Sequence, residues 1–371
     1  MERYPRRHFL RQMGVGVGAS AVASVPQLPG LTAPHVSKKL NVALCGLGRY
    51  AGYLAEGLAV SNYCQLAGLV SGTPAKLEQW QKRYTIAPKN CYSYQDFDNI
   101  ATNKDIDVVY VVVPNGLHKD LTIRAAKAGK HVIVEKPMAV SVAECEAMIA
   151  ACKAAGVQLA VGYRLHYEPY HQELKRLGQQ KVFGQVRLIE VSLGYHLDGI
   201  PPTDWHLKKA LSGGGPLMNL GVYCVQSSRY VLGEEPIAVT AQFGPVQHKD
   251  LYREVEESVT WQLEFPSGAI ATSTSANNMS VDRFYAAADT GFFELSPAVS
   301  YGPFRGRTSA GELTFPDINQ QAAQLDGIGQ VLLANQPLPN HIAGVEGLKD
   351  LRVIEAIYQA ARTGQRVRLT G

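Results

Sequence analysis

The chain has 371 residues, 46% of them hydrophobic and 18% charged, with a formal net charge of +4. That length exceeds what one hydrophobic core usually organises, so two domains are expected, and the apolar content excludes general disorder. Arg3, Arg6, Arg7 and Arg11 against Glu2 carry most of the excess charge; the nearly neutral remainder excludes nucleic acid and anionic membranes as the main partner.

Pro5-Arg6-Arg7-His8-Phe9-Leu10-Arg11 precedes an apolar stretch of small residues from Met13 to Val25, with Ala21-Val22-Ala23 as a cleavage site. This is the layout of an export signal, and the paired arginines before Phe-Leu resemble the twin-arginine motif. The apolar run is too short to cross about 30 Å of hydrocarbon as a helix. Residues 1–23 are therefore expected to address the twin-arginine export machinery, and the Pro-rich residues 24–39 to form an arm of the mature protein. The expected location is the periplasm, with no membrane span in the mature form. The six cysteines include no CxxC pair and no metal-ligand spacing with histidine, so they read as structural thiols and no metal is expected.

From Leu40 to about Tyr163, short β-branched runs alternate with amphipathic stretches, which predicts an α/β Rossmann domain over 40–162 with a parallel doubly wound sheet. The predicted strands are Asn41–Gly46, Gln65–Ser71, Asp107–Pro114, His131–Glu135 and Gln158–Gly162. The unbroken run Val108 to Val113 fits a central strand buried on both faces. Beyond Arg164 the strands lengthen and alternate: Val186–Leu193, Ile237–Phe243, Val259–Phe265 and Ala269–Ser275. Residues 163–371 are thus expected to form an α+β substrate and oligomerisation domain around a large, mostly antiparallel open sheet. A last helix over Val345–Arg362 should stop before Gly364.

The first strand runs into Gly46-Leu47-Gly48-Arg49-Tyr50-Ala51, a GxGxxA form of the dinucleotide fingerprint. A dinucleotide site selective for NAD carries Asp or Glu after the second strand; here the chain reads Ser71-Gly72-Thr73-Pro74-Ala75-Lys76. No carboxylate repels a 2′-phosphate there, hydroxyls can bond it, and Lys76 or Arg49 can neutralise it, so NADP is the expected cofactor. Pro114-Asn115-Gly116 forms a turn at the carboxyl end of the central strand, where open α/β sheets bind ligands. Pro114, Asn115 and His118 are accordingly expected beside the cofactor. His131 to Glu135 leads into Lys136-Pro137, and a lysine on that edge can donate to the oxygen of a carbon undergoing hydride transfer.

Together these segments resemble the glucose–fructose oxidoreductase-like branch of the Gfo/Idh/MocA dehydrogenases. Glu135-Lys136-Pro137 is similar to the EKP motif of that family, Gly162 to Pro169 to its GYRxHY(D/E)P segment, and Trp205, Gly213-Gly214-Gly215 and Leu217 to Tyr223 to its WR…GGGxLMDxGxY stretch. Gly233-Glu234-Glu235-Pro236 and Ile354 to Tyr358 also look alike, so the resemblance runs from Leu40 to the C-terminus. It implies a catalytic Lys136, often followed by a cis proline bond, with Glu135 and Arg164 at the cofactor. It also implies a residue pair on the helix after the glycines, here Asn219 and Tyr223, that handles the substrate hydroxyl. At i and i+4 both would address one ligand, and a cation near a phenol favours its ionised form. Tyr163, His166 and Trp205 are the further expected sugar contacts.

Asn219 stands where the family usually has aspartate, and His206 where it has arginine; a neutral amide hydrogen-bonds a hydroxyl but accepts no proton. The implied reaction oxidises C1 of an aldose to a lactone. An exported enzyme has no dinucleotide pool, so tightly bound NADP regenerated by a second sugar is expected, in a homodimer or homotetramer. An ordinary sugar dehydrogenase with exchanging cofactor fits the motifs but not the export signal. An NAD-dependent glycosidase usually lacks the EKP lysine, and a non-catalytic sugar-binding protein draws its support from Asn219.

Overall fold

The computed structural model describes residues 38–197 and 199–369; the expected export segment and the expected arm up to residue 37 lie outside the described residues. Its first sheet contains β1 (Leu40–Cys45), β2 (Cys64–Val70), β3 (Cys91–Tyr92), β4 (Val108–Val111), β5 (His131–Glu135) and β6 (Leu159–Gly162). The order is β3-β2-β1-β4-β5-β6 with parallel pairing throughout. The chain leaves β1 in one direction and returns at β4 in the other, so the crevice between their carboxyl ends is the topological switch point where such sheets hold ligands. Helices α1 (Arg49–Val60), α2 (Pro74–Tyr84), α3 (His118–Lys127) and α4 (Val142–Ala154) connect the strands. Every residue of β4 is buried, as its apolar run predicts. That strand ends at Val111, short of the expected Pro114, with the Val112 N–H donating to the Cys45 carbonyl at 2.8 Å as the last bond to β1.

The second part begins with α5 (Pro169–Gln179), α6 (Lys209–Ser212), α7 (Val222–Leu232), α8 (Gln320–Leu333) and α9 (Gly344–Thr363). Its sheet contains β7 (Val186–Gly194), β8 (Ala238–Phe243), β9 (Ser258–Glu264), β10 (Ile270–Ala276), β11 (Val281–Ala288), β12 (Phe292–Leu295), β13 (Gly306–Thr308), β14 (Gly311–Leu313) and β15 (Val367–Arg368). In the order β14-β13-β12-β11-β7-β10-β9-β8-β15, all neighbours are antiparallel except β7 and β10. On β9, Val259, Trp261 and Leu263 point into the core beneath α7 and α9, while Thr260 and Gln262 stand on the open face. Helix α9 ends at Gly364, whose φ of 66° supplies the left-handed cap that the sequence predicts. All six cysteines are free thiols, and burial raises the pKa of each.

Helix α8, although late in the chain, packs on the first sheet against α1, and Asp326 accepts from the Ser61 hydroxyl and from the backbone of Asn62 and Tyr63. Helices α7 and α9 are joined by the buried Arg229, which meets Glu235 at 2.6 Å, Glu346 at 2.9 Å and Asp350. Burial pushes the Glu235 carboxyl up, but Arg229 and Lys349 outweigh it and bring it down to about 2. Because the folded pKa lies below the ordinary value, the stabilisation is present at neutral pH and lost as pH falls toward 2. In urea unfolding, the wild type should exceed Glu235→Gln by about 1 kcal/mol at pH 6, Glu235 being half exposed, and the difference should vanish near pH 2.

Candidate active site

The glycine loop closes by backbone approach. Gly46 has φ of 105° and a Cβ there would strike the Val112 carbonyl, so no other residue fits without strain. Gly48, by contrast, has nothing within 4 Å of where a Cβ would stand. It is also the N-cap of α1, whose first turn has no side-chain cap and no acidic residue. An open glycine at an uncapped helix N-terminus fits the pyrophosphate of a dinucleotide. Leu47 is buried under the loop, whereas Arg49 is exposed and forms no ion pair among the described residues.

After β2, the Ser71 hydroxyl accepts from the Thr73 N–H at 3.1 Å, folding a tight turn through Gly72 that carries no carboxylate. Thr73 caps α2 without spending its hydroxyl, and Lys76 projects from the first turn, exposed. This turn therefore offers the Thr73 hydroxyl and the exposed Lys76 cation, and no carboxylate.

Lys136 leaves β5 across a cis bond to Pro137. Its Nζ donates to the Asn219 carbonyl at 3.0 Å and lies 4.5 Å from the centre of the Tyr223 ring. The strand-borne lysine and the helix-borne tyrosine, 87 positions apart in sequence, thus meet at the carboxyl edge of the parallel sheet. Arg164 completes the group. It is 2% exposed, with its guanidinium 5.4 Å from the Tyr223 ring centre and 4.5 Å from that of Tyr301. Its amino groups are held by Gln320 and the Val299 carbonyl, and no carboxylate pairs with it among the described residues. Burial works against its charge, but the surrounding phenols of Tyr223, Tyr50 and Tyr301 outweigh that and hold its pKa up. Burial in turn pushes the Tyr50 phenol far above its usual range, with the Glu135 carboxylate adding to the effect.

Several expected contacts have other employment. The Asn219 side chain does not hold Lys136; its backbone oxygen does, from a π-helical turn over Leu217–Gly221 where a regular α-helix was expected. Glu135 lies beneath the cleft, accepting from Tyr110 at 2.6 Å and from the Lys136 N–H at 3.2 Å, while burial raises its pKa. His118 is fully buried and its ring bonds the carbonyls of Val113, Pro137 and Met138, which fixes the loop after Lys136 in place of facing a cofactor. Pro114 opens that turn, and Asn115 is buried and donates to the Ser212 carbonyl at 2.8 Å, tying the turn to the triple glycine. Tyr163 donates to Asp350 in the interior, and His166 stacks among Tyr163, Tyr230 and His341. Both therefore stand behind the cleft. Trp205 is half-buried and stacks on His206 at 3.8 Å, and its turn packs through α6 onto residues 115–117.

Sequence reasoning missed the support of the glycine run. Gly214 lies under the Tyr358 hydroxyl and Gly215 under the Glu256 carbonyl, and the Glu256 carboxylate accepts from Gly215, Leu217 and Tyr358. It caps the helix that carries Tyr223 from across the fold. Glu256→Ala leaves those donors unsatisfied and should cost about 3 kcal/mol in urea unfolding. Tyr301 and Gln320 were missed too; only an Asn-Gln-Gln start to α8 hinted at them. No cluster of His, Cys, Asp or Glu placed to hold a metal occurs among the described residues, and no described helix is long and apolar enough to cross a membrane.

The first sheet alone would hold a dinucleotide; a tyrosine brought against the strand-borne lysine makes the class an oxidoreductase. The chain belongs to the Gfo/Idh/MocA family: its NAD-binding Rossmann domain matches residues 40–163 and its C-terminal domain residues 171–293. The chain superimposes on the aldose-aldose oxidoreductase of Caulobacter crescentus, complexed with glycerol, with a TM-score of 0.86 and 42% identity, over 90% of this chain and 100% of that one. It is 29% identical to D-xylose 1-dehydrogenase [NADP(+)] of Haloarcula marismortui over 76% of this chain and 79% of the relative. D-xylose 1-dehydrogenase (NADP(+)) 2 of Haloferax volcanii is 27% identical over 75% and 85%.

Proposed function

We propose that the protein is a sugar oxidoreductase that moves hydride from C1 of an aldose to tightly bound NADP, yielding a lactone, and then to a second sugar. The observation that carries this reading is Lys136 Nζ, 4.5 Å from the Tyr223 ring centre at the carboxyl edge of the sheet. The names of the similar proteins support the substrate class and, for the xylose dehydrogenases, NADP.

A bound nicotinamide supplies the hydride acceptor for the first sugar and the donor for the second. The chain's own groups handle the proton. Tyr223 takes it from the C1 hydroxyl as the C–H bond breaks, while the Lys136 ammonium stabilises the developing negative charge on oxygen. In the second half, Tyr223 returns the proton to the carbonyl oxygen of the acceptor, which leaves as an alcohol. The Arg164 guanidinium, 5.4 Å from the centre of the Tyr223 ring, fixes that ring in the cleft. Because Asn219 anchors Lys136 through its backbone carbonyl, an amide in place of aspartate does not unseat the lysine. This favours an enzyme over a purely sugar-binding protein.

The twin-arginine signal supports a periplasmic enzyme loaded with cofactor before export, and the open face of the second sheet supports a homodimer or homotetramer. The test is stoichiometry: protein supplied with an aldose donor and an aldose or ketose acceptor, without added dinucleotide, should form lactone and alditol in equal amounts over many turnovers. Oxidation that stops after one equivalent of cofactor with every acceptor would instead indicate an ordinary dehydrogenase with exchanging NADP.

A further inference from the structure

Arg164 is a buried cation without a carboxylate, and the same region of the fold holds a carboxylate without a cation. Asp282, near the start of β11, forms no ion pair among the described residues. It accepts instead from three consecutive backbone N–H groups: Ala298 at 2.8 Å and Val299 at 2.7 Å on Oδ1, and Ser300 at 2.9 Å on Oδ2. The Tyr195 hydroxyl lies 3.5 Å from Oδ2.

One peptide unit separates the two charges. The Ser300 N–H and the Val299 carbonyl belong to the same peptide; the first donates to Asp282 and the second accepts from Arg164. The preceding peptide repeats the arrangement with a different end. Its Val299 N–H donates to Asp282, and its Ala298 carbonyl accepts from His171 Nε2 at 2.7 Å. A peptide dipole of about 3.5 D with its positive end on a carboxylate and its negative end on a guanidinium is stabilised at both ends, and each of the two bonds strengthens the other. The next residue of the loop, Tyr301, sets its ring 4.5 Å from the same guanidinium, whose remaining amino group is held by Gln320. Asp282 thus sets the loop, the loop sets one edge of Arg164, and Arg164 lies against the Tyr223 ring.

We propose that Asp282 is a positioning residue for the reaction: through the Val299–Ser300 peptide it balances and orients Arg164, and so holds the Tyr223 ring beside Lys136. The inference rests on the sugar oxidoreductase reading above, in which Tyr223 moves the proton.

Asp282→Asn is the selective variant. Its oxygen keeps the two bonds made by Oδ1, and with them the branch to His171, while its NH2 faces the Ser300 N–H, so the branch to Arg164 alone is cut. At saturating donor and acceptor sugars kcat should fall about tenfold or more, with KM and the nucleotide content of the purified protein within about twofold of wild type. In an Arg164→Lys background, where the fork that reaches both the Val299 carbonyl and Gln320 is gone, adding Asp282→Asn should change kcat by less than about twofold. A kcat for Asp282→Asn close to wild type, a loss carried by KM, or losses that multiply in full in the double variant would overturn the proposal. Linkage is reciprocal, so the tie can also be read from its other end. Amide hydrogen exchange at Ser300 should be slow in the wild type and about fivefold faster or more in Arg164→Lys, while Val299, whose carboxylate-bonded peptide ends on His171, stays slow. This decides the matter should Asp282→Asn not fold. If the wild type oxidises no sugar, the same result upholds the tie between Asp282 and Arg164 while the catalytic reading fails; Ser300 exchange that is indifferent to Arg164 rejects it.

Discussion

Lys136→Met should lower kcat about 1,000-fold while leaving the bound nucleotide content of the purified protein unchanged. Methionine keeps the length and packing of the lysine stem but loses both the bond to the Asn219 carbonyl and the charge over the Tyr223 ring. Without that charge, the oxygen left when the C1 hydroxyl gives up its proton has no cation beside it. Tyr223→Phe should fall by a similar factor, and the double variant by little more than either alone, because the two groups act on one proton and one oxygen. Purified variants assayed at saturating aldose give the comparison. Activity of Lys136→Met within tenfold of wild type would remove the lysine from the chemistry.

Gly46→Val should yield protein that purifies without nucleotide and is less stable by about 3 kcal/mol. Valine at φ of 105° is strained, and its Cβ would meet the Val112 carbonyl, so the loop must move and its amides with it. Gly48→Ala is the informative companion. Its Cβ meets no protein atom within 4 Å, so the urea midpoint, measured on both proteins stripped of nucleotide, should stay at the wild-type value. The added methyl nonetheless stands where the pyrophosphate approaches α1, so nucleotide retention should fall. Loss of stability in the first variant and loss of cofactor alone in the second separate the two roles of these glycines. Full retention in Gly48→Ala would place the dinucleotide elsewhere.

What the sequence reveals here follows from how local each signal is. The Rossmann strands were legible because each is a short β-branched run, and the register of β5 was met residue for residue at His131–Glu135. The two-residue β3 carries no periodicity and escaped notice. Strand β11 was hidden because Asp282 and Arg283 interrupt its alternation and alanines finish it. In the site, Lys136 and Tyr223 were found because each belongs to a motif. Arg164 was singled out only as a cofactor contact, and its setting between Tyr223 and Tyr301 was not legible, since Tyr301 comes from a loop more than a hundred residues later. Tyr163 and His166 were misplaced for a related reason. Successive residues on an irregular turn point in different directions, and only the fold decides that Arg164 faces the cleft while its neighbours face Asp350 and Tyr230. The role of the Asn219 backbone was illegible in principle, because a carbonyl oxygen has no residue identity.

The most direct test of the account is the ultraviolet spectrum of protein purified without added cofactor, followed through addition of glucose and then of fructose or a second aldose. The account expects a nucleotide band at the outset, a reduced-nicotinamide band that rises with glucose in proportion to protein, and its decay when the acceptor sugar is added. Protein that carries no nucleotide and gives no such band with glucose even when NADP is supplied would contradict it.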